Sequence, residues 1–150
     1  MATSIRRQVG ALPYRFDEDG TLRILLITSR RAGKWIIPKG NLMKRLAPHD
    51  AAAREAYEEA GAIGQIEPDE RGHYLHRKRR KAGRRVRCRV GVHAMEVTAR
   101  LDRFPERDQR ASRWFSADDA RQAIRNPTLR RLVALLLADL AATAPGQAPA

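Results

Sequence analysis

Residues 48–60, PHDAAAREAYEEA, are helix formers almost without a break, set in a chain whose flanking apolar segments read as strands. Pro48 suits the first helical turn, where its missing N–H is harmless, and Asp50 meets the positive end of the helix dipole there. Gly61 is a fitting residue just past the end of such a helix. The chain therefore combines strands and helices, with one helix over 48–60. Before it, residues 6–15 and 22–29 read as strands joined by the turn DEDG, and WIIP (35–38) as a short strand that Pro38 ends. KGNLMKRL (39–46) has no clean period and reads as a loop. After the helix, a strand from Ile63 to Leu75 is broken by the turn-like EPDERG.

Residues 84–97 alternate, with Val86, Cys88, Val90, Val92 and Ala94 on one face and Arg85, Arg87, Arg89 and His93 on the other. That pattern predicts a half-buried strand with a basic outer face and Cys88 as a small core residue. HRKRRKAG is read as the hairpin tip before it, around Gly83. RASRWFS (110–116) reads as a strand, and Ser116 caps a following helix. Pro127 opens a last amphipathic helix. The expected domain covers residues 1–142, with a disordered tail over 143–150.

The chain has 150 residues, a single cysteine and a net charge of +13. This length can bury a core without disulfides, and one cysteine suits a reducing compartment. The start, MATSIRRQVG, lacks a signal peptide's apolar run, and no apolar stretch reaches the roughly 20 residues of a membrane span. The expectation is a soluble cytoplasmic protein with no membrane partner. An Arg- and Ala-rich composition accounts for much of the positive charge, but less well for its clustering. Polyanions are the natural partners of such a surface.

Within the helix, Glu55, Glu58 and Glu59 stand at i, i+3 and i+4, so three carboxylates share one face. Arg54 precedes Glu58 by four residues and can pair with it. Such a group is either a solvated acidic face or a seat for Mg²⁺ or Mn²⁺, which prefer hard oxygen ligands. An acidic spot in an otherwise cationic chain suits a metal that works on a phosphate-rich substrate.

The segment from Gly40 to Ala62 resembles the Nudix box, G-x5-E-x7-R-E-U-x-E-E-x-G-U. Gly40, Arg54, Glu55, Ala56, Glu58, Glu59, Gly61 and Ala62 fall on the pattern, and Leu46 stands where the pattern has its first Glu. QVGALPYR, LLITSRR, KWIIPKG and RWFS also resemble segments of diphosphoinositol polyphosphate phosphohydrolase-like Nudix proteins, so the resemblance covers residues 5 to about 137. It implies an α+β fold, an α/β/α sandwich with a mixed sheet between helices, and a metal-dependent phosphoanhydride hydrolase. It implies Mg²⁺, or alternatively Mn²⁺, held by Glu55 and Glu59, with the Gly40 carbonyl as a further ligand. Glu58 is then a ligand or the base that activates water, and Arg54 orients a glutamate. A further acidic residue from a later loop falls on Glu106.

Two basic clusters are candidates for the substrate's phosphates. Arg30, Arg31, Lys34 and Lys39 flank the box, and Arg87 and Arg89 lie on a strand that would hold them rigidly. The tip residues 78–81 are read as a solvated hairpin. Aromatic residues are few, which favours a phosphate-dense small molecule over one recognised by its base. Diphosphoinositol polyphosphates, diadenosine polyphosphates or related nucleoside diphosphate derivatives fit. The alternatives are a nucleotide or RNA 5′-end pyrophosphohydrolase and a catalytically weak polyanion-binding module; nucleic acid is the less favoured partner.

Overall fold

The computed structural model describes residues 5–79, 83 and 85–143. Eight strands and three helices follow one another as β1 (Ile5–Phe16), β2 (Leu22–Thr28), β3 (Trp35–Ile36), β4 (Lys39–Asn41), α1 (Pro48–Ala60), β5 (Ala62–Ile66), β6 (Gly72–Arg79), β7 (Arg85–Arg100), β8 (Ser112–Ser116), α2 (Ala117–Ala123) and α3 (Pro127–Ala141). The tail beyond Thr143 and most of the expected hairpin tip lie outside the described residues.

The sheet is mixed. Its spine is the parallel pairing of β1 with β7, from Ile5 opposite Arg87 to Tyr14 opposite Glu96. β2 and β4 run antiparallel to β1, β5 and β6 antiparallel to β7, and β3 and β8 antiparallel to β2. Helix α1 covers one face, where Ala51, Ala52, Ala56 and Ala60 pack among Val9, Ala11, Leu25, Ile27 and Met95. Alanine at these positions lets the helix backbone lie close to the strands. Helices α2 and α3 cover the other face. There Leu129, Leu132, Val133, Leu136, Leu137 and Leu140 form one apolar stripe against Leu12, Ile24, Leu26 and Tyr74. The result is a sandwich of helices about a mixed sheet, the architecture that the resemblance implies.

The helix read over 48–60 has those bounds, and Gly61 ends it at φ 65°. A side chain at Gly61 would strike the Phe104 ring as well as strain the backbone. Ser116 caps α2 by accepting from the Asp119 N–H. Two readings need correction. Residues 39–41 are a strand, because the backbone of Gly40 lies opposite Val9 and that of Lys39 opposite Gly10; a three-residue strand is too short to show a period. The outer face of β7 is basic only as far as Arg89. His93 on that same face is buried, with its Nδ1 3.1 Å from the Glu67 carbonyl, because residues 67–71 and the start of α1 cover it.

At the start of α3, the Asn126 carbonyl oxygen accepts from the Thr128 and Leu129 N–H groups, while its amide donates to the Leu75 carbonyl on β6. This one side chain caps a helix and ties it to the sheet. Asn126→Ala is expected to lower stability by about 1–2 kcal/mol, read as a lower urea midpoint with an unchanged slope. An unchanged midpoint would mean that solvent caps α3 equally well.

Candidate active site

Helix α1 turns Glu55 and Glu59 toward the sheet, at 9 % and 3 % exposure, while the side chain of Glu58 is 31 % exposed. Four residues make a little over one turn, so Glu55 and Glu59 share an inward line and Glu58 falls to one side. There Glu58 accepts from Arg54 Nε at 3.3 Å. The backbone of Gly40 lies directly against the Glu55 carboxylate, and any β-carbon at that position would occupy the carboxylate's space. The next backbone group on β4, the N–H of Lys39, donates to Glu59 Oε1 at 3.3 Å. Burial holds both glutamates above the usual carboxylate range. Their mutual hydrogen bond then acts in opposite senses, raising Glu59 further and drawing Glu55 down. Two buried carboxyl groups joined by a hydrogen bond titrate as one unit.

The loop after β7 closes the site. The N–H of Glu106 donates to the Glu58 carbonyl at 2.9 Å, which fixes the loop to the end of α1. Glu106 Oε1 accepts from Arg110 at 3.1 Å, and Arg30 approaches the same oxygen at 4.0 Å. Arg110 is the residue that the sequence did not announce. Its side chain is only 9 % exposed; it donates to the Thr28 carbonyl at 3.1 Å and stands 3.8 Å from Glu59 Oε1. It is the buried cation of the site. The one sequence signal was its position four residues after Glu106, in a segment without an apolar period.

Do these residues fit a divalent metal? Among the described residues, no three His, Cys, Asp or Glu side chains converge into a closed cage. Mg²⁺ does not require one, since it keeps several waters and commonly takes one or two carboxylates plus substrate phosphates. Two buried carboxylates against a β-carbon-free strand fit that demand. Glu55 and Glu59 would hold such an ion, beside the Gly40 backbone and with Glu58 and Glu106 nearby.

Strand register sorts the cations. On β4, Gly40 faces α1, and alternation sends the Lys39 side chain to the opposite face. On β6, His76 and Lys78 face that same side, opposite Cys88 and Val86 of β7. Burial lowers the pKa of Lys39, and Glu59 and Cys88 offset this in part. Burial, with the charges of Lys39, Lys78 and Lys34, lowers that of His76 from 6.5 to about 4. A cleft of about 600 Å³ continues from there, lined by Lys34, Trp35, Arg113, Phe115, Gln122 and Arg125. Arg113 sits 4.3 Å above the Phe115 ring, which meets Trp35 edge-on at 4.9 Å. Arg87 and Arg89 are on the α1 side. Arg89 is engaged there by both oxygens of Glu70, at 3.0 and 2.8 Å. Arg31 is exposed on the turn before β3.

The His76 shift has a consequence for stability. The unfolded chain takes up this proton near pH 6.5 and the folded chain only near 4, so the contribution is complete above 6.5 and is lost as pH falls toward 4. Discounted for partial solvent access, the loss is about 1–2 kcal/mol. In His76→Gln the urea midpoint is expected to fall less than in the parent across that window. Parallel curves for the two proteins would refute the assignment.

A family profile for the NUDIX domain matches residues 5–136. Nudix hydrolase 4 of Arabidopsis thaliana is 29 % identical over 132 residues, covering 83 % of this chain and 62 % of that protein. Diphosphoinositol polyphosphate phosphohydrolase 2 of Rattus norvegicus is 27 % identical over 124 residues, covering 77 % of this chain and 60 % of that protein. The chain thus spans less than two-thirds of the length of each. A solved binary complex of a C. elegans Ap4A hydrolase superposes with a TM-score of 0.68 at 22 % identity, covering 91 % of this chain and 98 % of that one. The profile match runs from the first residue of β1 well into α3 and takes in every element of the sheet, and the chain belongs to the NUDIX family.

Proposed function

We propose that this chain is a divalent-metal-dependent pyrophosphohydrolase that cleaves a phosphoanhydride bond in a small, phosphate-rich substrate. The observation that carries the proposal is the pairing of Glu55 and Glu59, buried together against Gly40 with Arg110 beside them. The names of the relatives, hydrolases of diphosphoinositol polyphosphates and of Ap4A among them, support the same class. When bound, Mg²⁺ or Mn²⁺ would neutralise phosphate charge and lower the pKa of a water.

The chain's own groups do the rest. Glu55 and Glu59 would hold the ion, since both carboxyl groups turn inward beside the Gly40 backbone. Glu58 stands at the site's margin, where it can orient the attacking water, and Arg54 fixes its position at 3.3 Å. Arg110 supplies a positive charge in a water-poor setting, where it acts most strongly on charge developing at phosphorus. Glu106 holds Arg110 in place. Lys34 and Lys39 receive phosphates on the other face of the sheet, and Arg30 and Arg31 stand on the turn leading to β3. The reading keeps the expectation of a reducing, cytoplasmic setting, on the one free cysteine.

A second reading is favoured by the cleft of Trp35, Arg113 and Phe115. It offers aromatic surface beside cations and would suit a nucleotide or RNA 5′-end substrate. Turnover with Mg²⁺ should be measured on diadenosine polyphosphates, diphosphoinositol phosphates, nucleoside triphosphates and 5′-triphosphate RNA. Hydrolysis that disappears in the Glu58→Gln, Glu59→Gln double variant supports the proposal. Turnover indifferent to that variant would sink the site assignment. Tight polyanion binding without hydrolysis of any substrate would sink the enzyme reading. Rates set by base identity would favour the nucleotide substrates.

A further inference from the structure

We infer that the cleft behind the loop between β7 and β8 binds a small monocarboxylate through Arg100 and Arg107, and that its occupant loosens the loop carrying Glu106 and Arg110. The binding is independent of the hydrolase reading; its effect on turnover rests on that reading.

The loop leaves β7 at Arg100 and enters β8 at Ser112, and one side chain closes its base. Arg100 Nη2 donates to the Ala60 carbonyl and to Ser112 Oγ, each at 2.9 Å, and Nε donates to the same carbonyl at 3.3 Å. Ala60 is the last residue of α1, so the loop hangs from the end of the helix that carries Glu58 and Glu59. The Leu101 N–H adds a bond to the Gly61 carbonyl at 2.8 Å. Phe104 lies against Gly61, and Glu106 is tied to the Glu58 carbonyl. The places of Glu106 and Arg110 beside the carboxylates therefore depend on how this base is held.

A cleft of about 320 Å³ opens beside it, lined by Arg100, Leu101, Asp102, Phe104, Arg107 and Ser112. Its volume is at the lower end of the range for small-molecule sites, about 300–1,000 Å³. Glu55, Glu58 and Glu59 do not line it, so it is separate from the carboxylates of α1.

The cations of this cleft lack countercharge. Arg71, Arg89 and Arg110 each meet a carboxylate. Arg100 is half-buried, and its hydrogen-bond partners are a carbonyl and a hydroxyl, both neutral. Among the described residues, neither Arg100 nor Arg107 makes a salt bridge. Burial, with the like charge of Arg15, holds the Arg100 guanidinium below its usual pKa, as befits an uncompensated cation. A carboxylate supplies the missing charge through two parallel N–H bonds, stronger than those to neutral oxygens. Asp102 lines the same cleft and repels anions of higher charge, while Phe104 and Leu101 offer apolar surface to the body of the acid. This ligand chemistry differs from that of a phosphate-rich substrate. Once a carboxylate engages Arg100, the guanidinium turns from Ala60 and Ser112, and Glu106 no longer fixes Arg110 beside Glu59.

Benzoate is the probe, followed through the backbone amide resonances of the full chain. Those of Leu101, Phe104 and Ser112 should shift together and saturate, with a dissociation constant of about 1 mM. The exposed substitution Arg107→Gln leaves the bonds of Arg100 in place and should weaken binding about fivefold. Arg103→Gln, exposed on the same loop but outside the cleft, should change it by less than about twofold. Neutral benzamide should not bind. No saturable shift, equal binding of benzamide, or an equal loss in the two variants would each overturn the site.

With a substrate that is turned over, saturating benzoate should lower kcat about tenfold while KM stays within about twofold. The benzoate concentration for half of that effect should rise about fivefold in Arg107→Gln. A raised KM with unchanged kcat would put benzoate in the substrate's place and overturn the control of the loop, as would full binding with both constants unchanged. Absence of hydrolysis of any substrate, with the amide shifts intact, overturns the hydrolase reading and leaves the binding site standing.

Discussion

Glu59→Gln is expected to lower Mg²⁺-dependent turnover by about a thousandfold or more while making the metal-free protein more stable. Both effects follow from the same geometry. Glu59 is almost wholly buried, beside the equally inward Glu55 and near Glu106. Its carboxylate is useful only where a cation or a transition state needs it, and loss of such a group commonly costs two to three orders of magnitude, or about 3–4 kcal/mol. Without the metal, the same carboxylate is a buried like-charged neighbour. Glutamine keeps the shape and the acceptor for the Lys39 N–H and removes the charge, for a gain of about 1 kcal/mol and a rise in Tm of about 4 °C. Activity assays and thermal melts with EDTA would test the pair of effects. A variant that is both inactive and less stable would show that Glu59 holds the fold together in its own right.

Arg110→Met is expected to act in the opposite sense on stability. Methionine replaces the aliphatic part of the side chain but leaves Glu55, Glu59 and Glu106 without their buried countercharge and the Thr28 carbonyl without its donor. Removing one partner from such an arrangement typically costs about 3–5 kcal/mol. Added Mg²⁺ should restore part of the lost Tm, because a divalent ion supplies charge at the same carboxylates. It should not restore kcat, since the arginine's charge on the phosphoryl group is still missing. A loss of Tm that Mg²⁺ leaves untouched would separate Arg110 from the carboxylates proposed to hold the metal.

The sequence carried the helix and its carboxylates unusually well, for physical reasons. Pro48, Asp50 and Gly61 are local signals that act through their own backbone, so the bounds of α1 could be read without tertiary knowledge. The Ser116 cap was legible for the same reason. The division of labour among the cations was not. Which face of β4 Lys39 takes depends on its pairing with β1, and the role of Arg89 depends on Glu70, nineteen residues away and across a turn. Rigid placement on a strand was a sound argument for Arg87 and Arg89, but it does not say which face the substrate visits. Lys78 looked like part of a solvated hairpin, and His76 was one of four histidines scattered along the chain. Only the register of β6 on β7 puts them on the face of Lys39. Arg110 offered only its spacing from Glu106, because its burial also comes from Glu59 and Thr28, which no local pattern joins to it.

The parallel spine of β1 and β7 also governs when the site comes into being. Ile5 must find Arg87 and Tyr14 must find Glu96, across some eighty residues of chain. Such non-local closure is slow, and during synthesis it waits until β7 has left the ribosome. Gly40 sits on β4, which pairs with β1, so the seat for Glu55 gains its full sheet support only when β1 is itself anchored on β7, although α1 and its carboxylates are made early. Growing chains therefore carry the acidic helix well before they carry the strand setting that buries Glu55 and Glu59. That setting arrives late and in one step, with the zipping of the first strand onto the seventh.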